Sequence, residues 1–166
     1  MAAHVYVTVG TTQFDSLIDA LLTADVLGLL VAQGYRRLLM QIGRGREPVL
    51  PAEAPLTIEW YRFKDSLAAD MHAASLLISH AGAGSIMEGL GCAANLLVVV
   101  NDSLMHNHQQ ELAHELDRRG HLIAATPASL LHKLAVVHER AGSLVPFPES
   151  DHDAFSRFLS SSLGLE

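Results

Sequence analysis

The stretch LLISHAGAGSIMEGL, residues 76–90, carries the decision about the fold. Leu76, Leu77 and Ile78 make a short apolar run that closes on Ser79 and His80. Gly82, Ala83 and Gly84 follow, and from Ser85 onward the pattern turns helical. A continuously apolar strand suits a parallel sheet that is covered on both faces. A small-residue loop between such a strand and a helix is where an α/β fold lets a ligand approach the backbone.

The rest of the chain repeats that unit. Residues 4–9, 36–43, 56–63, 75–79, 95–100 and 121–125 read as strands, rich in β-branched and aliphatic residues. Between the first two, Phe14, Leu17, Ile18, Leu21, Leu22, Val26, Leu29 and Leu30 recur at helical spacing, and Gly34 reads as the stop. Residues 65–73, 105–118 and 151–161 read as further helices. Thr126 caps another, with Pro127 at its first position. Strands alternating with helices predict an α/β fold, a Rossmann-like parallel sheet with helices on both faces. One domain is expected over residues 1–166, with 143–166 as a C-terminal loop and helix.

At the 82–85 loop, backbone N–H groups and the positive end of a helix dipole predict a phosphate or diphosphate ligand. If the helix starts at Gly84, then Gly84, Ser85 and Glu88 share one face. Glu88 then lies roughly 5 Å along the axis from the phosphate, a place suited to ribose hydroxyls. Ser85 and Glu88 also spell a capping box that needs no ligand, and the two readings are compatible. The dinucleotide fingerprint is absent, because Met87 stands at its third glycine, and there is no Walker lysine. Along NDSLMHNHQQELAHEL, residues 101–116, Met105, Leu112, Ala113 and Leu116 form an apolar stripe. Gln109 falls on that stripe and needs partners, either backbone groups or a sugar.

Composition excludes several classes. The net charge of −7 argues against nonspecific nucleic-acid binding. A single cysteine, Cys92, permits no internal disulfide and suits a reducing compartment. The opening MAAHVYVTVG has no basic n-region, and no apolar run approaches the roughly 20 residues that span a bilayer. The ten histidines include none at zinc-site spacing, so no metal and no cofactor is expected. Membrane contact, if needed, falls to a partner.

Taken jointly, VYVTVGTTQFDSLI, LLMQIGRG, YRFKDSL, LLISHAGAGSIMEGL and LVVVNDSLMHNHQQELAHEL resemble the catalytic subunits of the two-subunit UDP-N-acetylglucosamine transferase of dolichol-linked oligosaccharide assembly, a branch of glycosyltransferase family 28. The resemblance covers residues 5–122, and that family is related to the C-terminal half of the bacterial glycosyltransferase that makes the peptidoglycan lipid precursor. It implies the donor half of a GT-B glycosyltransferase, active only with a membrane-anchored acceptor subunit. The implied reaction is inverting transfer of N-acetylglucosamine from UDP-N-acetylglucosamine to N-acetylglucosaminyl-diphosphodolichol. The implied location is the cytoplasm and the cytosolic face of the endoplasmic reticulum.

By the same resemblance, Gly10, Thr11 and Thr12, together with His80, Ala81, Gly82, Ala83, Gly84 and Ser85, face the diphosphate. Backbone at Phe63 and Lys64 reads the uracil, and Glu88 binds the ribose. Gln109 contacts the donor sugar, with Gln110 and Asn107 beside it. His80 is the donor-side catalytic candidate, and the general base is expected on the partner. The family's Gly-Lys-Pro turn is replaced here by Ala93-Ala94-Asn95. The alternative function is a non-catalytic nucleotide-sugar-binding or regulatory module.

Overall fold

A computed structural model of the chain describes residues 3–92, 94–103, 108–148 and 152–163. Its strands are β1 (His4–Thr8), β2 (Arg37–Gln41), β3 (Thr57–Tyr61), β4 (Leu76–His80), β5 (Asn95–Val99) and β6 (Ile123–Ala125). Its helices are α1 (Asp15–Leu21), α2 (Ala24–Ala32), α3 (Ala68–Ala73), α4 (Ala83–Leu90), α5 (His108–Arg118), α6 (Leu130–Glu139) and α7 (His152–Leu163). The strands form one six-stranded sheet in the order β3-β2-β1-β4-β5-β6, and every pairing is parallel.

Side-chain alternation divides the core into two layers. Val5, Val7, Leu38, Met40, Leu76, Ile78, Leu97 and Val99 point to one face, where they meet buried residues of α1, α2 and α6. Tyr6, Leu39, Leu77, Leu96 and Val98 point to the other, against Met71 of α3, Ile86 of α4, and Leu112, Ala113 and Leu116 of α5. Both faces of the central strands are therefore buried, which is why those strands read as apolar runs, while edge strand β3 stays partly exposed. The chain runs outward from β1 to β3, then returns to lay β4 beside β1. That reversal opens a crevice beyond the carboxyl ends of β1 and β4.

Several boundaries move from their sequence positions. The first helical stretch is two helices, because the Thr23 side chain accepts from Val26 N and caps α2. The third helix begins at Ala68, since the Ser66 hydroxyl accepts from Ala68 N and turns residues 65–67 into an entry loop. Thr126 does cap a helical turn, in a capping box with Ser129 that leads into α6. Helix α5 is described from His108; residues 104–107, and so Met105, lie outside the described residues. Ala93 also lies outside them, while α4 itself is pinned to the sheet by fully buried Ile86 and by close packing at Gly89. A Cβ added at Gly89 would sit 3.0 Å from Leu96 Cδ1 and 3.1 Å from Leu77 Cδ2. Helix α7 packs on α5 through Phe158, which carries Arg119 over its ring at 4.5 Å. The side chains of Phe155 and Leu159 lie outside the described residues. Among the described residues no helix is long and apolar enough to cross a membrane.

Candidate functional site

The crevice is a cleft of about 720 Å³. One wall is the loop after β1, Gly10 and Thr11, with Gln41 at the end of β2 below it. A second wall is the turn after β3 from Phe63 to Leu67, continued by Ala68, Met71 and His72 of α3. The third is His80, Gly82, Gly84, Ser85, Met87 and Glu88, with Gly91 and Cys92 beyond them.

Helix α4 presents an uncapped N-terminus to this space. It begins at Ala83, and its N-cap is Gly82 in extended conformation (φ −70°, ψ 131°) with no side-chain cap. The capping-box reading of Ser85 and Glu88 is thereby corrected. Ser85 already lies inside the helix, and its hydroxyl is hydrogen-bonded to His80 Nε2 at 3.0 Å. The start of the helix at Ala83, rather than Gly84 or Ser85, also moves the dipole end one residue closer to β4. First-turn N–H groups have no carbonyl behind them in the helix and so face solvent or a ligand.

The glycines do two different jobs. At Gly10 (φ +64°) a Cβ would sit 2.7 Å from His80 Nε2, and at Gly82 one would sit 2.4 Å from His80 Cε1. The imidazole is thus clasped between two backbones that allow no side chain. Gly84 is the opposite case: a Cβ there would meet nothing within 4 Å, because the space beyond it is the cleft. Burial holds the His80 pKa below its ordinary value, so the ring is neutral at neutral pH.

A buried glutamine and a tyrosine pair support the walls. Gln41 is 1% exposed and makes five side-chain hydrogen bonds. Its Oε1 accepts from the Thr8 hydroxyl at 2.6 Å and from Val9 N and Gly10 N, both at 3.1 Å. Its Nε2 donates to Gly10 O at 2.8 Å and Arg62 O at 2.7 Å. Behind the turn after β3, the Tyr61 hydroxyl donates to Asp70 Oδ2 at 2.6 Å and meets the Tyr6 hydroxyl at 2.8 Å. Lys64 Nζ bonds the same Asp70 oxygen at 2.7 Å and lies 4.2 Å from the Tyr61 ring centroid. Burial pushes the Asp70 carboxyl upward, but hydrogen bonds from Lys64 and Tyr61 outweigh it and hold the pKa below the usual value. Desolvation pushes the Tyr6 hydroxyl up to about 12, so both partners keep fixed roles in the chain. The Lys64 charge is compensated from within the protein, which leaves the α4 N-terminus as the uncompensated positive end in the cleft.

Of the residues read from sequence, the fold brings Gly10, Thr11, Phe63, Lys64, His80, Gly82, Gly84, Ser85 and Glu88 onto one cleft. Thr12 stands behind the loop, where its carbonyl accepts from Arg44 N. Ala81 is buried in the core, and Ala83 begins α4 without lining the cleft. Gln109 is exposed in the first turn of α5, which corrects the inward placing: the core that α5 covers begins at Leu112, one turn later. Gln110 borders a separate shallow depression with His114, Arg118 and Ser161. Asn107 lies outside the described residues. Gln41, Asp70, His72 and Cys92 escaped the sequence reading. Only Gln41 left a signal, as a polar residue closing the apolar run of β2 level with Thr8.

Residues 4–158 match the model of the glycosyltransferase family 28 C-terminal domain. The chain belongs to that family. It is similar to UDP-N-acetylglucosamine transferase subunit ALG13 of Homo sapiens, with 49% identity over 123 residues, 74% of this chain and 11% of the relative. It spans about a tenth of the length of the human and mouse relatives. The solution structure of an ALG13 superposes with a TM-score of 0.69 at 25% identity, covering 95% of this chain and 94% of the other. Acinetobacter baumannii MurG shares the fold, with a TM-score of 0.68 at 19% identity over 99% of this chain and 50% of that one. The expected α/β architecture is thus that of the C-terminal halves of GT-B glycosyltransferases.

Proposed function

We propose that this chain is the donor-binding, catalytic part of an inverting UDP-N-acetylglucosamine transferase. The acceptor is N-acetylglucosaminyl-diphosphodolichol, and a membrane-anchored partner at the cytosolic face of the endoplasmic reticulum supplies the acceptor side. The observation that carries the reading is the uncapped α4 N-terminus, opening on a cleft with Glu88 one turn further along the same helix face. The names of its relatives and its family membership support the same reading.

In this reading the diphosphate sits over Gly82, Gly84 and Ser85 and against the Gly10-Thr11 loop. Glu88 accepts hydrogen bonds from the ribose hydroxyls. The base lies along the turn at Phe63 and Lys64, where Lys64 is already neutralised by Asp70. Gln109, exposed in the first turn of α5, reads the sugar, and Asn107 is assigned to the sugar as well. As the glycosidic bond to UDP breaks, negative charge grows on the departing phosphate. The N–H donors of α4 and its dipole are in place before that charge forms, and no reorganisation is needed to stabilise it. Neutral His80, held by Ser85, can donate a hydrogen bond to a phosphate oxygen from its buried position. The base that deprotonates the acceptor hydroxyl belongs to the partner.

Calorimetric titration with UDP, UDP-N-acetylglucosamine and NAD tests the site. UDP is expected to bind and NAD not. Glu88→Ala should weaken UDP by about tenfold, the loss of a charge-assisted pair of hydrogen bonds. Gln109→Ala should weaken UDP-N-acetylglucosamine more than UDP. Transfer to the lipid acceptor should require the reconstituted partner. A complex in which Glu88→Ala transfers sugar at the wild-type rate would point instead to a binding module without catalysis.

A further inference from the structure

We infer that Gln41 is a positioning residue that sets the spacing between the two halves of the nucleotide site. The inference rests on the proposed UDP reading and names a residue that the reading does not use. Gln41 is buried between β1 and β3, whose carboxyl ends carry the diphosphate loop and the base turn. Its amide is the tie between them. Oε1 takes N–H groups of Val9 and Gly10, while Nε2 gives one bond to Gly10 O and the other to Arg62 O. Apart from the Thr8 hydroxyl, the partners are backbone groups with fixed polarity, so only an amide can satisfy both sets at once. Gly10 has a positive φ and no side chain, and besides Gln41 its loop is held by a bond from Gly10 N to the Thr8 hydroxyl and one from Arg44 N to Thr12 O. Arg62 is in turn locked by bonds from its guanidinium to Gly43 O and Gly45 O. Gln41 therefore joins the Gly10 loop to the turn after β3.

A fixed spacing has a specific signature. A ligand that spans two subsites gains over its fragments only if both are held at the right separation. Loss of the tie should thus damage binding of UDP far more than binding of uridine or inorganic diphosphate alone. Gln41→Glu keeps the shape but removes both N–H donors and sets a carboxylate against two carbonyl oxygens. Burial raises the pKa of that carboxyl, so acidification protonates it and returns one donor.

The test measures affinity for UDP, uridine and inorganic diphosphate, by calorimetry and NMR titration, on wild type, Gln41→Glu and Gln41→Asn. The asparagine keeps the amide but is one methylene too short to reach both carbonyls. In both variants UDP affinity should fall about tenfold or more while each fragment changes less than about threefold, as expected when preorganisation rather than a contact is lost. The UDP loss in Gln41→Glu, taken relative to wild type at the same pH, should shrink between about pH 7 and pH 5. The wild-type protein gives a readout that needs no variant: the Gln41 side-chain amide signals should shift with uridine and with diphosphate separately. Equal loss of UDP and fragments, no loss of UDP, or amide signals that respond to neither fragment would each overturn the inference. Failure of wild type to bind UDP at all would overturn the site reading itself and is seen separately.

Discussion

Two residues beside the same cleft have opposite sensitivities. Gly84 faces empty space, so Gly84→Leu is accommodated by the fold and fills the cleft instead. We expect its stability to stay within about 1 kcal/mol of wild type, leucine being the better helix former. UDP affinity should fall about tenfold or more, as a blocked site demands; isothermal calorimetry and a thermal melt check both halves. Gly82→Ala meets the His80 ring, and should lower stability by about 1–3 kcal/mol in denaturant unfolding, the usual range for overpacking. His80 also gives the fold an acid sensitivity. Its folded pKa lies below the unfolded value of 6.5, so the unfolded chain binds the proton more readily. The full stability is present above pH 6.5 and drains away as pH falls from there toward the depressed folded value. In His80→Gln the fall in melting temperature between neutral and acid pH should be shallower than in wild type. Burial of His80 was not legible in the sequence, which showed a histidine after an apolar run and, by resemblance, set it at the diphosphate. Its clasp by Gly10 and Gly82 joins residues seventy positions apart.

At the scale of the element, α4 does most of the site's work and differs most from its sequence reading. An S-x-x-E pattern marks a helix start by local chemistry alone. Here the N-cap falls three residues earlier, because Gly82 turns at the end of β4 and the Ser85 hydroxyl is taken by His80. Where no such neighbour intervenes, local chemistry holds: Thr126 caps its helical turn as expected, in a box that Ser129 completes. Thr126→Ala should cost about 1 kcal/mol of stability, the usual worth of an N-cap, and leave UDP affinity unchanged. Chemical denaturation and a UDP titration on that variant test whether the β6 edge of the sheet is energetically separate from the cleft.

For the whole molecule, the site exists only because the strand order reverses between β1 and β4. The Gly10 loop, the turn after β3 and the α4 N-terminus come from three strand ends that converge on one edge of the sheet. A ligand that bridges them binds only the folded state. Saturating UDP at about 100 times its Kd should therefore stabilise the chain by about 2.7 kcal/mol, read as a rise in melting temperature. That rise should vanish in Gly84→Leu.

The sequence by itself determined the architecture and named nine of the residues that line the cleft. Apolar runs buried on both faces, broken by glycine and followed by helical spacing, admit little besides a parallel sheet with its loops at one end. The small-residue loop and Glu88 at helical spacing are local features, and local features survive folding. Tertiary structure alone decided the partners of polar groups: Gln41 between two strand ends, Ser85 on His80, Tyr61 and Lys64 on Asp70. It also decided that Gln109 points to solvent, since an apolar stripe shows which face of a helix is buried but not where along the helix the core begins. The reason is the same in each case. Backbone propensity and hydrophobic period act over a few residues, whereas a hydrogen bond or the end of a core depends on atoms brought in from distant parts of the chain.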